Sequence, residues 1–209
     1  MKQWLLLGST PFEVQDITST EAYAGCDHAQ VQFNHFSREQ PFLQWRYLRH
    51  PVYTYKQFFV HSADAGSGHG VYVCLREELG VEGLRMLHVL DCVGDGRDMP
   101  SAVSFIHHYC TANNFHVADF YCTATRISRY FSSSGWFSMV DDGCFRFPHL
   151  FSPLEFRDPP TTSLIYWTRL DMLELSDTSN LYVTKQDADL DRPTQVATGL
   201  FRSQWKEAP

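Results

Sequence analysis

The 209-residue sequence predicts a mixed α/β domain, a mostly antiparallel central sheet flanked by helices, and three observations predict it. Two β-rich runs, Tyr55–His61 and Gly70–Arg76, are joined through Asp64-Ala65-Gly66-Ser67-Gly68, a turn composition that pairs them as a hairpin. The apolar run Leu84–Val93 reads as a third strand that empties into the Gly/Asp loop Gly94–Pro100. A helix over Ser101–Thr111, a strand over His116–Thr123 and a short helix over Thr125–Phe131 follow, so the order is β-β-β-loop-α-β-α.

Residues 1–40 mix Thr, Ser, Asp, Gln and His with scattered aromatics and have no clear period, so they are expected to be an irregular segment packed on the domain. Pro41 suits a first helical turn, and Phe42 to Leu48 place aromatic and aliphatic side chains at helical spacing until His50-Pro51 ends the run. Glu77–Gly83 is polar and bounded by glycine, a second turn before the strand Leu84–Val93. In the following helix Val103, Phe105, Ile106, Tyr109 and Cys110 recur near a 3.6-residue period, and Asn113-Asn114 ends it. Ser132-Ser133-Ser134-Gly135 stops the next helix, and less regular strands are expected from Phe145 to Thr168. The domain is assigned to residues 41–193, with 194–209 as a tail.

A strand that passes through a glycine loop into a helix leaves backbone N–H groups at the helix N-terminus, where the helix dipole also favours an anion. That makes the loop Gly94–Pro100 and the start of the helix after it a place to hold a phosphate. The whole chain narrows the partners. Seventeen basic and twenty-four acidic residues give 17 − 24 = −7 with no Lys/Arg run, which argues against a nucleic-acid partner. Trp4-Leu5-Leu6-Leu7 is too short for a signal-peptide core, and no run approaches the ~20 apolar residues of a membrane span, so a cytoplasmic protein is expected. Cys26, Cys74, Cys92, Cys110, Cys122 and Cys144 form no CxxC pair and read as free thiols rather than zinc ligands. Asp187, Asp189 and Asp191 alternate as in a calcium loop, but Arg192 and Thr198 stand where Gly and Glu are needed, so a surface turn with an Asp–Arg contact is expected. His107 and His108 point about 100° apart on a helix with no i, i+4 partner, so no metal is expected. A hydrolase elbow and a dinucleotide fingerprint are both missing.

Several words of sequence fit one pattern. They are Phe42-Leu43-Gln44-Trp45-Arg46-Tyr47 with His50-Pro51 and Tyr55, the strand end Val89-Leu90-Asp91, Gly135-Trp136-Phe137, Trp167-Thr168-Arg169, and Asp187 to Pro193. With the order of elements, they resemble the GNAT superfamily of acyl-CoA N-acyltransferases, and within it the GNAT-like proteins of bacterial surface-polysaccharide gene clusters. The resemblance implies a sheet splayed between two central parallel strands, with the acyl-CoA thioester in the split and its pyrophosphate on the loop amides. Carried over, the donor site is Cys92, Val93, Gly94, Asp95, Gly96, Arg97, Asp98, Met99 and Ser101. Gly94-Asp95-Gly96 supplies the G-x-G of the family's Q/R-x-x-G-x-G/A signature, while Asp91 or Cys92 stands where Gln or Arg is usual.

The resemblance further implies an acetyl-CoA or other acyl-CoA co-substrate and a small-molecule amine acceptor, an amino sugar in polysaccharide biosynthesis, acylated by direct attack. Attack needs a base, because an ammonium has no lone pair. Asp91 at the strand end is the candidate base. The family's Asn and Tyr positions fall on Ala124 and Phe131, so Tyr130, one residue away, is carried as the candidate acid. Trp45, Tyr47 and Tyr55 are candidates for an acceptor pocket, with His88, whose strand spacing points it opposite Asp91. The competing expectations are a non-catalytic GNAT-like binding or scaffolding protein, and a homodimer or partnered assembly.

Overall fold

The computed structural model describes residues 9–25, 34–64, 69–79, 83–138 and 177–187. In chain order the elements are β1 (Phe12–Asp16), β2 (Asn34–His35), α1 (Gln40–Leu43), β3 (Lys56–Ser62), β4 (Val71–Leu79), β5 (Arg85–Gly94), α2 (Met99–Ala112), β6 (Val117–Phe120), α3 (Thr125–Ser133) and β7 (Leu181–Tyr182). Five strands form a sheet in the order β1-β3-β4-β5-β6. Neighbours are antiparallel except β5 and β6, which run parallel with α2 between them, as a parallel pair requires a crossover. β2 pairs separately with β7. The fold is thus mixed α/β with a mostly antiparallel sheet. The strands expected over 145–168, the motif at 167–169, Cys26 and Cys144, and residues 188–193 lie outside the described residues.

β4 and β5 read as near-continuous apolar runs because both of their faces are covered. On one face α2 seats Phe105 and Tyr109 against Phe58, with ring centroids at 4.8 and 5.5 Å, and Phe12 against Phe105 at 5.7 Å. On the other face Leu43 and Tyr47, four residues apart, are buried while Trp45 between them is 68% exposed. The helix there changes pitch: a π-helical turn over Gln44–Leu48 follows α1, and the Arg49 N–H donates to the Gln44 carbonyl at 2.9 Å. α3 ends in a Schellman motif. The Trp136 N–H reaches the Phe131 carbonyl and the Gly135 N–H that of Ser132, with Gly135 at φ +89° and the Phe131 and Trp136 rings 5.0 Å apart.

Three expectations change. The N-terminal 40 residues contribute β1, an edge strand paired with β3 from Phe12↔Ser62 to Asp16↔Phe58. β6 stops at Phe120, because Cys122 and Thr123 pair instead with Thr184 and Val183. The third concerns facing. Cys74 pairs with Asp91 and Leu75 with Val89, so Leu90 is an extra residue, a β-bulge in β5. The bulge shifts the alternation by one. His88, opposite Arg76, and Asp91, opposite Cys74, therefore share a face instead of pointing apart.

β4 and β5 stay paired as far as Val71↔Gly94, whereas β5 and β6 pair only from Met86↔Val117 to Val89↔Phe120. The close pairing at Gly94 has a steric requirement: a Cβ there would lie 2.1 Å from the Gly70 carbonyl oxygen and 2.7 Å from the Val71 Cα. Gly135→Ala meets open space and carries only left-handed backbone strain, about 1–2 kcal/mol. Gly94→Ala must also move a neighbouring strand, so its expected cost is about 3 kcal/mol, the upper end for overpacking. Urea denaturation of the two variants should rank them in that order.

Candidate functional site

The loop that leaves β5 satisfies much of its own backbone. The Asp95 N–H donates to the Gly70 carbonyl at 3.1 Å, the Arg97 N–H to Asp95 Oδ1 at 2.8 Å, and the Asp98 N–H to the Asp95 carbonyl at 3.1 Å. Asp98 Oδ1 accepts from the Ser62 N–H at 2.8 Å, and Ser101 Oγ donates to the Pro11 carbonyl at 2.9 Å. Met99 is fully buried in the core. Gly96 and Arg97 lie on the surface, and the Tyr130 hydroxyl would be 3.1 Å from a Cβ on Gly96. Tyr130, the candidate acid, thus borders the loop. Arg97 forks onto Asp95, Nη2 to Oδ2 at 2.7 Å, and these hydrogen bonds hold the Asp95 carboxyl down at about 2.

Asp91 sits at the centre of a buried network. Arg38 Nε lies 2.7 Å from its Oδ2, the Tyr182 hydroxyl donates to Oδ1 at 2.7 Å, and the Tyr47 hydroxyl is 3.5 Å from Oδ2. Arg38 also forks onto Asp187 at 2.9 and 2.6 Å, with its guanidinium 5.4 Å above the Tyr182 ring. The Cys92 N–H donates to the Tyr182 hydroxyl at 2.9 Å. Burial raises the Asp91 carboxyl above its ordinary value against the pull of Arg38. Burial disfavours charge on Arg38 too, but Asp91 and Asp187 outweigh it and raise its pKa. Burial also raises the Tyr182 and Tyr47 phenols, which stay neutral donors, and lifts the Cys92 thiol, so Cys92 lacks the thiolate a nucleophile needs.

Below the bulge, on the same face, a second chain of charges crosses three strands. Arg76 Nη1 meets Glu78 Oε2 at 2.7 Å, and Glu78 Oε2 meets His88 Nε2 at 3.1 Å. His88 Nδ1 lies 2.7 Å from Asp119 Oδ1 and 2.9 Å from Lys185 Nζ, and Lys185 also bonds Asp119. Burial pushes the Asp119 carboxyl up, but Lys185 and His88 outweigh it and leave it below its usual value. His88, a candidate for the acceptor pocket, is therefore fully enclosed by charged partners.

An open cleft of about 580 Å³ lies at the start of β3, lined by Tyr47, Tyr53, Tyr55, His50, Lys56 and Tyr109, among others. Two candidates for an acceptor pocket, Tyr47 and Tyr55, meet there with rings 5.0 Å apart, and Arg46 donates to the Tyr55 hydroxyl at 3.0 Å. Trp45 packs on Phe42 at 6.0 Å and is not among the cleft residues.

The structure thus joins Asp91 and Cys92 to Tyr182, Tyr47 to both the cleft and Asp91, and Tyr130 to the loop. Sequence reasoning missed Arg38, Tyr182, Lys185, Glu78 and Asp119. Asp187, expected in a surface Asp–Arg turn, is paired with Arg38, 149 residues away. Asp187 itself is enclosed, its side chain 2% exposed against Arg38. His107 stacks on Trp136 and accepts its indole N–H at 2.5 Å, and no cluster of three or more His, Cys, Asp or Glu capable of holding a metal occurs among the described residues. No helix of the described residues is long and apolar enough to cross a membrane. No protein-family model, curated protein or solved structure matches this chain.

Two outcomes follow from this geometry. Arg38→Ala strands Asp91 without its cation and should cost about 3–5 kcal/mol in equilibrium denaturation, against little change for the exposed Arg49→Ala. Asp95 has a depressed folded pKa, so its contribution is present above the unfolded value near 3.8 and lost as pH falls toward 2. The stability gap between wild type and Asp95→Asn should be under about 1 kcal/mol at pH 6, because the pair is solvated, should narrow as pH falls through 2 and should close below it.

Proposed function

We propose that this chain is a GNAT-like acyltransferase that takes an acyl-CoA, with acetyl-CoA the reference donor, and delivers the acyl group to an amine by direct attack. The supporting observation is the parting of β5 from β6. Pairing ends at Val89↔Phe120, one residue before the bulge at Leu90, and Leu90–Gly94 continues to the loop and α2 with no β6 partner. There the Cys92 N–H is satisfied by a side chain, the Tyr182 hydroxyl, and not by a strand, so a ligand acceptor could take its place. The donor would run along Cys92–Ser101, with Asp91 as the base once it is uncovered and Tyr130 at the loop edge as the candidate acid. The acceptor is an amino sugar of surface-polysaccharide biosynthesis, with Tyr47 and Tyr55 on its side, and the CoA donor goes with a cytoplasmic setting.

A second reading, a non-catalytic GNAT-like binding protein, is favoured by a different observation. The N–H groups of Cys92, Asp95, Arg97 and Asp98 are all hydrogen-bonded within the protein. Ligand linkage separates the two. Acetyl-CoA at 100 times its apparent dissociation constant should add about 2.7 kcal/mol to the unfolding free energy. A melting temperature unmoved by millimolar acetyl-CoA would sink the acyltransferase reading and leave the binding one.

A further inference from the structure

The gap between β5 and the chain beyond β6 is bridged by one side chain. Tyr182 lies on the segment that pairs with Cys122 and Thr123, and its hydroxyl reaches the Cys92 N–H at 2.9 Å and Asp91 Oδ1 at 2.7 Å. Its ring therefore spans the space beside the unpaired half of β5, and the residue is fully buried. The backbone behind it is fastened: the Thr123 hydroxyl donates to the Leu181 carbonyl, the Val183 N–H donates to that hydroxyl at 3.0 Å, and the Thr184 N–H donates to Asp187 Oδ2 at 2.9 Å. Arg38 packs over the ring and holds Asp91 and Asp187 together. The segment cannot peel away without breaking several bonds, whereas the side chain can leave by rotation about its own bonds, giving up its hydroxyl bonds, the Arg38 contact and the packing of its ring in the core.

We infer that Tyr182 is a gate on the donor wedge: acyl-CoA can seat its pantetheine arm beside Leu90–Cys92 only after the Tyr182 side chain swings out of it. The gate rests on the acyl-CoA reading and adds its regulation. The same movement that frees the Cys92 N–H uncovers Asp91, so the donor and the candidate base become available together. The loop end of the site is outside the gate. A nucleotide that reaches only Gly94–Ser101 is indifferent to Tyr182, and a molecule carrying the pantetheine arm is not.

The test uses two probes on the full chain, CoA and adenosine 3′,5′-bisphosphate, the latter lacking the arm. By isothermal titration, wild type should bind both with similar affinity. Tyr182→Ala should bind CoA about tenfold tighter or more, since apparent affinity scales with the fraction of open protein, and the bisphosphate unchanged. Tyr182→Val, which removes the ring but keeps a β-branched residue suited to a strand, gives the same comparison if the alanine variant does not fold. Wild type alone provides a further readout: in stopped flow the observed rate should level off with CoA concentration, set by opening, and rise linearly with the bisphosphate. CoA binding wild type far more tightly than the bisphosphate, with no gain in either variant, overturns the gate and leaves the donor reading intact. Absence of binding by both probes to every variant overturns the donor reading, and the gate with it.

Discussion

A carboxylate stripped of water inside a sheet is tolerable only beside a cation, and at Asp91 that cation is Arg38. The pair decides how distant parts of the chain meet. Arg38 comes from the segment ahead of α1, Asp91 from the bulged middle of the sheet, and Asp187 from the segment after β7, yet one guanidinium holds both carboxylates. Apolar residues of the same volume could match the stability of such a group. What they would lack is direction: a guanidinium donates to carboxylates in its plane, as Arg38 does in forking onto Asp187, so the pairing favours one segment and one register beside β5.

The bulge at Leu90 is what makes this arrangement available. Without the extra residue, strict alternation would turn Asp91 toward α2, into the apolar layer of Phe58, Phe105 and Ile106. With it, Asp91 joins His88 on the opposite face, and the two faces divide their labour. The α2 side is packed by aromatic and aliphatic side chains. The other side carries two enclosed polar networks, Arg38–Asp91–Asp187 and Glu78–His88–Asp119–Lys185, which share the Leu181–Asp187 segment as a common tie. The bulge also coincides with the point where β5 leaves β6, so one inserted residue serves both charge placement and strand parting.

Elements with a strong period were legible in the sequence. β3, β4, β5, α2 and α3 all fall within a few residues of their expected spans, because each buries a face whose period shows in the residue types. β1 was not legible for the converse reason: Phe12 is half-buried and the four residues after it are exposed, so an edge strand held by backbone bonds leaves little apolar pattern. Asp91 could be singled out from its place at a strand end, but its surroundings could not. Arg38 lies in a polar stretch with no local signature, and its partners come from 53 and 149 residues further along. The facing of His88 and Asp91 failed for a sharper reason, since a single bulge reverses every inference drawn from a period of two beyond it.

Both aspartates of the loop are engaged within the protein, Asp95 by Arg97 and Asp98 by the Ser62 N–H. Asp95 bonds the Arg97 N–H and guanidinium, so it acts as an internal stand-in for the anion that a glycine loop at a helix N-terminus otherwise attracts. Tyr182 does the same for the Cys92 N–H. Each internal bond is worth only about 0.5–1.5 kcal/mol net, because a ligand oxygen accepting the same N–H replaces one hydrogen bond with another. At Cys92 exchange therefore swaps one acceptor for another, whereas at Asp95 a phosphate meets an ionised carboxylate whose charge Arg97 offsets. The larger obstacle at the wedge is the volume of the Tyr182 ring, and whatever enters must fill that space as well as the ring does, or leave a cavity whose cost grows with its size. On the reading proposed above, a long apolar and amide-bearing arm is the kind of chain that could meet both conditions at once.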